Sequence, residues 1–270
     1  EVGQLDFLAK ISPLERKRLK TRPDFKAWPE LRTVHLAFNT EKGPTQSTEL
    51  RKAIAMSIDR KKLDTLLEGA YQPATSFIPP GLLGYSKTTS VEFSPERAKA
   101  LLKSANIDPT TLPALDLLTV AFDDQVIVAK FIQEELKKNL GLNVRTHFLE
   151  PKRYYSPLLN HDDYAMQINL WAADFPDPDN FYSVFLSTSR LNRYPWKNAK
   201  YDELVLKGRV VSERAPREKI YLSAQKILLN EAVATMPLYY GRINGLIRPS
   251  IKGFKPGPMN WWQFKDLWLH

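Results

Sequence analysis

The alternation of apolar and polar positions divides this chain into recognisable elements. In "RTVHLAFNT" (32–40), Val34, Leu36 and Phe38 recur every second residue, the period of a strand. In "STELRKAIAMSIDRKKLDTLLEG" (47–69), Leu50, Ile54, Ile58, Leu63, Leu66 and Leu67 follow helical spacing, and Gly69 supplies the stop. Pro73, Pro79, Pro80 and Gly81 predict a stiff, extended loop after it. Two further helices open on a Ser-Pro pair, Ser as N-cap and Pro in the first turn. These are "SPLERKRLK" (12–20) and "SPERAKALLKSAN" (94–106), the second with a stripe of Ala98, Leu101, Leu102 and Ala105.

A βαβ pattern follows. "LDLLTVAF" (115–122) reads as a strand, Asp123 or Asp124 as the cap of a helix running to about Asn139, and "NVRTHFLE" (143–150) as the second strand. Such a unit implies a parallel pair with a right-handed crossover. "YAMQINLWAA" (164–173) is a third strand. Helices are expected near 178–187, 197–210 and 215–231, a strand region over 234–247, and an ordered aromatic end in "GFKPGPMNWWQFKDLWLH".

Composition narrows the function. With 270 residues, 43% hydrophobic, the chain can bury a large core. It contains no cysteine, which excludes disulfides, thiolate metal sites and a cysteine nucleophile. The net charge of +9 is spread over segments such as "LERKRLK" and "SERAPREK", mixed with Glu at helical spacing. That is the pattern of solvated helix faces rather than of a nucleic-acid stripe. No apolar run approaches a membrane span. The first residues carry no export-signal pattern and begin inside a structured-looking segment, which points to a piece of a longer chain.

The segment "WAADFPDPDN" (171–180) concentrates the candidate chemistry in Asp174, Asp177 and Asp179. An EF-hand loop counted from Asp177 puts Tyr182 where glycine is needed and Thr188 where glutamate is needed. Four histidines, none paired at ligand spacing on one helix, add no metal site. There is no G-x-S-x-G elbow, no H-E-x-x-H and no phosphate-binding glycine loop. "HDD" (161–163) reads as a loop before a strand. Asp177 before Pro178 has the form of a helix start, with Asp179 in the first turn complementing the macrodipole. Asp174 is unexplained by capping. It follows the C-terminal end of a strand, where open α/β sheets bind ligands. Beside Trp171 and Phe175 it would be partly desolvated and need a cation, from this chain or from a ligand.

Several segments in order resemble the family 5 extracellular solute-binding proteins, the oligopeptide- and dipeptide-binding components of ABC importers. Arg51, Ala53, Ile58, Asp59, Arg60, Gly69, Pro73-Ala74 and Ile78-Pro79-Pro80 match one stretch, with Ser57 departing from the usual Ala. "FSPERAKALLKSANI", "LWAADFPDPDNF" and "MPLYYGRINGLIRPSIKGF" resemble three more. The second of these has the form W-x-x-D-x-x-D-P-D-N-F.

The resemblance implies an α/β fold: a periplasmic-binding-protein-like (type II) lobe, its mixed sheet flanked by helices, with fragments of the partner lobe at both ends. Residues 1–31 would belong to the first lobe, 32–236 to the second, solute-binding lobe, and 237–270 would return to the first. It implies a binding protein rather than an enzyme, with no cofactor. The partners would be an oligopeptide, the N-terminal lobe of the same protein and ABC permease subunits, with membrane contact only through the importer or a lipid anchor outside this chain. The location would be the periplasm or the extracellular face of the membrane. Asp174 would pair with the ligand's α-ammonium, and Trp171, Ala173, Phe175, Phe122 and Asp123 would line its surroundings. Some relatives hold the ligand's carboxylate with a basic residue after the strand at 115–122; here that loop reads "FDDQ". Another small solute, a sugar or a metal complex, fits the same family. A carbohydrate-active enzyme would need a second carboxylate about 5–10 Å from Asp174.

Overall fold

The computed structural model describes residues 4–88, 90–193, 196–259 and 263–270. In chain order the elements are β1 (Phe7–Ala9), α1 (Pro13–Leu19), β2 (Phe25–Phe38), α2 (Thr48–Met56), α3 (Arg60–Leu66) and β3 (Gln72–Pro73). Next come α4 (Pro95–Ser104), β4 (Leu115–Val120), α5 (Asp123–Leu140), β5 (Val144–Leu149), α6 (Pro151–Tyr154) and β6 (Met166–Ala172). The chain finishes with α7 (Asp179–Tyr182), α8 (Ala199–Val210), α9 (Arg214–Lys226), β7 (Thr235–Ile247), β8 (Ile251–Lys252) and β9 (Trp268–Leu269).

Seven strands form one mixed sheet in the order β1-β7-β2-β6-β4-β5, with β3 also on β7. The βαβ unit is as expected: β4 and β5 are parallel, from Leu115↔Val144 to Val120↔Leu149. β6 joins β4 in parallel, while β2 runs antiparallel to both β6 and β7. The C-terminal ends of β4, β5 and β6 therefore share one edge of the sheet.

Strand alternation places a core on each face. Val34, Leu36 and Phe38 pack with α2, α4 and α5 through Leu50, Ile54, Ala98, Val128 and Ile132. Leu31 and Ala37 pack with Phe77, Phe181, Phe185, Tyr201, Tyr221 and Leu228 on the other side. Beyond the crossing, β2 and β7 run on into a small third cluster of Trp28, Ile243 and Ile247 with Phe7 and Phe254.

Several expectations are corrected. The helix expected over 48–69 is two helices, because the Asp59 carboxylate accepts from Lys61 and Lys62 N–H groups and restarts the chain as α3. The turn rotates the second half, leaving Leu66 48% exposed. Neither Asp123 nor Asp124 caps α5: both lie in its first turn, with Phe122 at the N-cap position. Ser94 holds the N-cap position of α4 without a side-chain cap bond. The helix expected at 178–187 is a single turn of α7 continued as a 3₁₀ turn over Ser183–Phe185, and the one at 215–231 ends as a π-turn over Ile227–Glu231. Of the aromatic C-terminal stretch, Trp261 and Trp262 lie outside the described residues.

Candidate ligand-binding site

Strand β6 ends at Ala172, and the turn after it is built by side-chain carboxamide chemistry. Asn180, 5% exposed, turns its Oδ1 back to accept from the Asp174 N–H (3.1 Å) and from the Trp171 indole N–H (3.0 Å). Ala173, 9% exposed, continues the ladder by donating its N–H to the Leu31 carbonyl (2.8 Å). Asn180 thus fixes the backbone on which Asp174 is carried. Sequence reading passed over it, although it is the asparagine of the W-x-x-D-x-x-D-P-D-N-F segment.

The three aspartates separate by environment. Asp177 accepts the Asp179 N–H (2.8 Å), which is the capping role expected of it, although Pro178 occupies the N-cap position. Arg217 also clamps Asp177 with two parallel bonds of 2.7 and 2.8 Å. The hydrogen bond to Asp177 raises the Arg217 pKa above its ordinary value. Arg217 in turn lies over Tyr221, which stacks on Tyr182 at 5.2 Å and 9°. Asp179 pairs with Arg209 at 2.7 Å. Both arginines come from α8 and α9, distant in sequence, so local spacing could not reveal them. Asp174 is different: it is exposed, and its carboxylate has no hydrogen-bond or ion-pair partner among the described residues. The partial desolvation expected of it is absent because Trp171 is drawn to Asn180 and the α7–α9 face, while Phe175 stands 48% exposed.

Phe122 (41% exposed) and the exposed Asp123 reach the same sheet edge, since β4 and β6 are parallel neighbours. Asp124 faces inward and accepts the Tyr71 hydroxyl at 2.9 Å. Burial, with Asp124 adding to it, pushes the Tyr71 phenol well above its usual range and keeps it a donor. Tyr71 packs against Tyr239 with ring centroids 4.5 Å apart. Arg32 completes this corner. Burial works against its charge, but Glu30, at 2.8 Å, together with Tyr71, Tyr239 and Asp124 outweighs that cost. Among the described residues, no group of three or more His, Asp or Glu side chains is arranged to hold a metal ion. No helix among them is long and apolar enough to cross a membrane.

Residues 1–193 match the family described as bacterial extracellular solute-binding proteins, family 5 middle. The chain is 29% identical over 248 residues to the probable deoxycholate-binding periplasmic protein YgiS of Escherichia coli (strain K12), covering 89% of this chain and 46% of that protein. It is 30% identical over 233 residues to the periplasmic murein peptide-binding protein MppA of the same organism, covering 84% and 43%. The solved structure of the E. coli murein tripeptide binding protein MppA superposes with a TM-score of 0.85 at 26% identity, over 99% of this chain and 54% of that one. The chain belongs to the family 5 bacterial extracellular solute-binding proteins, a family of binding proteins, and has their periplasmic-binding-protein fold. It spans about half the length of the curated relatives it matches.

Proposed function

We propose that this chain is the solute-binding lobe, with parts of the partner lobe, of the peptide-binding component of an ABC importer. Residues 32–236 form the ligand-binding lobe, and residues 1–31 and 237–270 belong to the first. The ligand is an oligopeptide held between the lobes, and the closed form docks on permease subunits at the outer face of the membrane, in the periplasm or the extracellular space. The protein acts by binding and release and performs no chemistry on its ligand. One observation carries the reading: Asp174 presents an unpaired carboxylate just beyond the C-terminal edge of the parallel strands, held there by Asn180 while its two neighbouring aspartates are neutralised by arginines. A carboxylate in that position, covered when the lobes close, demands an ammonium partner. A free peptide N-terminus supplies one whatever the side chains. Trp171, Ala173, Phe175, Phe122 and Asp123 line the approach.

The test is calorimetric titration of the full-length gene product with a mixed tri- to pentapeptide pool and with the same pool N-acetylated, in wild type and Asp174→Asn. A charged hydrogen-bond partner contributes about 1.5–3 kcal/mol, so each change should weaken binding roughly 10- to 150-fold. Equal binding of free and acetylated peptides, with no effect of the substitution, would overturn the reading.

A further inference from the structure

The turn that carries Asp174 contains Pro176 and Pro178, which have no N–H to offer. Its backbone is closed by the Asp177 N–H on the Phe175 carbonyl (2.9 Å) and by the Asn180 N–H on the Asp177 carbonyl (3.2 Å). Both bonds meet at Asp177, and Asn180 in turn accepts the Asp174 N–H. A displacement of Asp177 is therefore passed to Asn180 and on to Asp174.

Asp177 is held from outside the turn. Arg217 of α9 gives its two terminal nitrogens to the two carboxylate oxygens and its Nε to the Gly208 carbonyl of α8 at 2.8 Å. A two-point fork fixes the direction of the carboxylate as well as its distance. The pair is largely shielded from water, with side chains 19% and 30% exposed. Arg217 lies over the ring of Tyr221, and Gly208 makes room for that ring. A Cβ at 208 would stand 2.6 Å from Tyr221 Cζ and 2.9 Å from Cε1. Tyr221 is fully buried and stacked on Tyr182, so its ring cannot step aside. Arg217 spends Nε and both terminal nitrogens on acceptors of this chain, so it acts through the turn and not on a ligand.

We infer that Arg217 is a positioning residue for ligand binding: its clamp on Asp177 sets the place of the Asp174 carboxylate, and with it the preference for a free ammonium group. This rests on the reading of Asp174 as the ammonium partner. Lysine in place of Arg217 keeps the charge but cannot serve Gly208 and both oxygens of Asp177 in one planar fork.

The full-length gene product is titrated with the tri- to pentapeptide pool, free and N-acetylated, and the ratio of the two affinities is read for each variant beside its melting temperature. Wild type should prefer the free pool about 10- to 150-fold. Arg217→Gln should cut that preference about 5-fold, the worth of one ordinary hydrogen bond, with less effect on the acetylated pool. Asp177→Asn should do the same, and the double variant should be no worse than either single one, because both remove one clamp. Arg217→Lys should fall between wild type and Arg217→Gln, and with Asp177→Asn it serves if the Gln variant does not fold. Ile132→Val, in the core on the opposite face of the sheet, should lower the melting temperature and leave the ratio unchanged. A wild-type preference that survives intact in the Arg217 and Asp177 variants overturns the inference and leaves Asp174 its role. So does an equal loss of both pools, which marks a purely structural arginine. A wild type that binds both pools equally, or neither, overturns both readings.

Discussion

His35 illustrates how one residue can act through what surrounds it. It is 2% exposed, with its ring edge-on to Phe77 and Phe185, and its Nδ1 lies 2.7 Å from the Thr235 hydroxyl. That hydroxyl donates to the Leu36 carbonyl, so Nδ1 carries the proton and donates to Thr235. Burial lowers the His35 pKa to about 3, against 6.5 for the free side chain. The unfolded chain therefore binds a proton that the folded chain refuses. The stabilisation is complete above pH 6.5 and is lost progressively as pH falls from there toward 3. Denaturant titrations between pH 7 and 4 should show His35→Gln losing close to one proton from the slope of stability against pH; an unchanged slope would contradict the assignment. Ser57 is the opposite case. Its hydroxyl is buried without a hydrogen-bond partner among the described residues, and its carbonyl already serves Asn139 at 2.8 Å. An unsatisfied buried hydroxyl costs about 1–3 kcal/mol. Ser57→Ala, which restores the residue the family resemblance leads one to expect, should raise the melting temperature by a few degrees in calorimetry.

Among the elements, the residues that carried the resemblance turn out to hold the fold. Arg51, 3% exposed, donates to the carbonyls of Thr45, Gln46, Ala232 and Val233 and ties α2 to the turn before β7. Asp59 caps α3, and Arg60 donates to Ser90 Oγ and to the Val91 carbonyl. The apolar pattern located the strands at 32–40, 115–122, 143–150 and 164–173, although β4 is buried on both faces and its residues do not alternate in burial. It fused α2 with α3, since apolar spacing survives a break of three residues and only the cap reveals it. It also left β2 too short. Phe25–Glu30 faces the small Trp28 cluster rather than either main core, so its alternation is weak. In the binding segment, Asp177 was legible as a helix start. Its clamp by Arg217 was not, because the two are separated by 40 residues.

Over the whole molecule, β2 and β7 are the long members of the sheet and pass from the two large cores to the small third cluster. Their pairing shifts register between Pro29 and Thr33, beside the Glu30–Arg32 pair and Gly241. A register shift interrupts the regular ladder, and an interrupted ladder is where paired strands bend most easily. Small-angle scattering of the full-length protein should therefore show a smaller radius of gyration on saturation with a binding peptide pool; an unchanged radius in the presence of demonstrated binding would count against closure about these strands. The sequence by itself determined the α/β class, the parallel βαβ unit, the family and the singular position of Asp174 among three aspartates. These follow from local periodicity, capping chemistry and ordered motifs, all of which act over short stretches of chain. Only the tertiary structure decided which aspartates are neutralised, that Asn180 holds the Asp174 backbone, and that Arg217 reaches across from α9 to clamp the turn. Each of those depends on groups brought together by sheet order and helix packing, and their sequence separation leaves no local pattern to read.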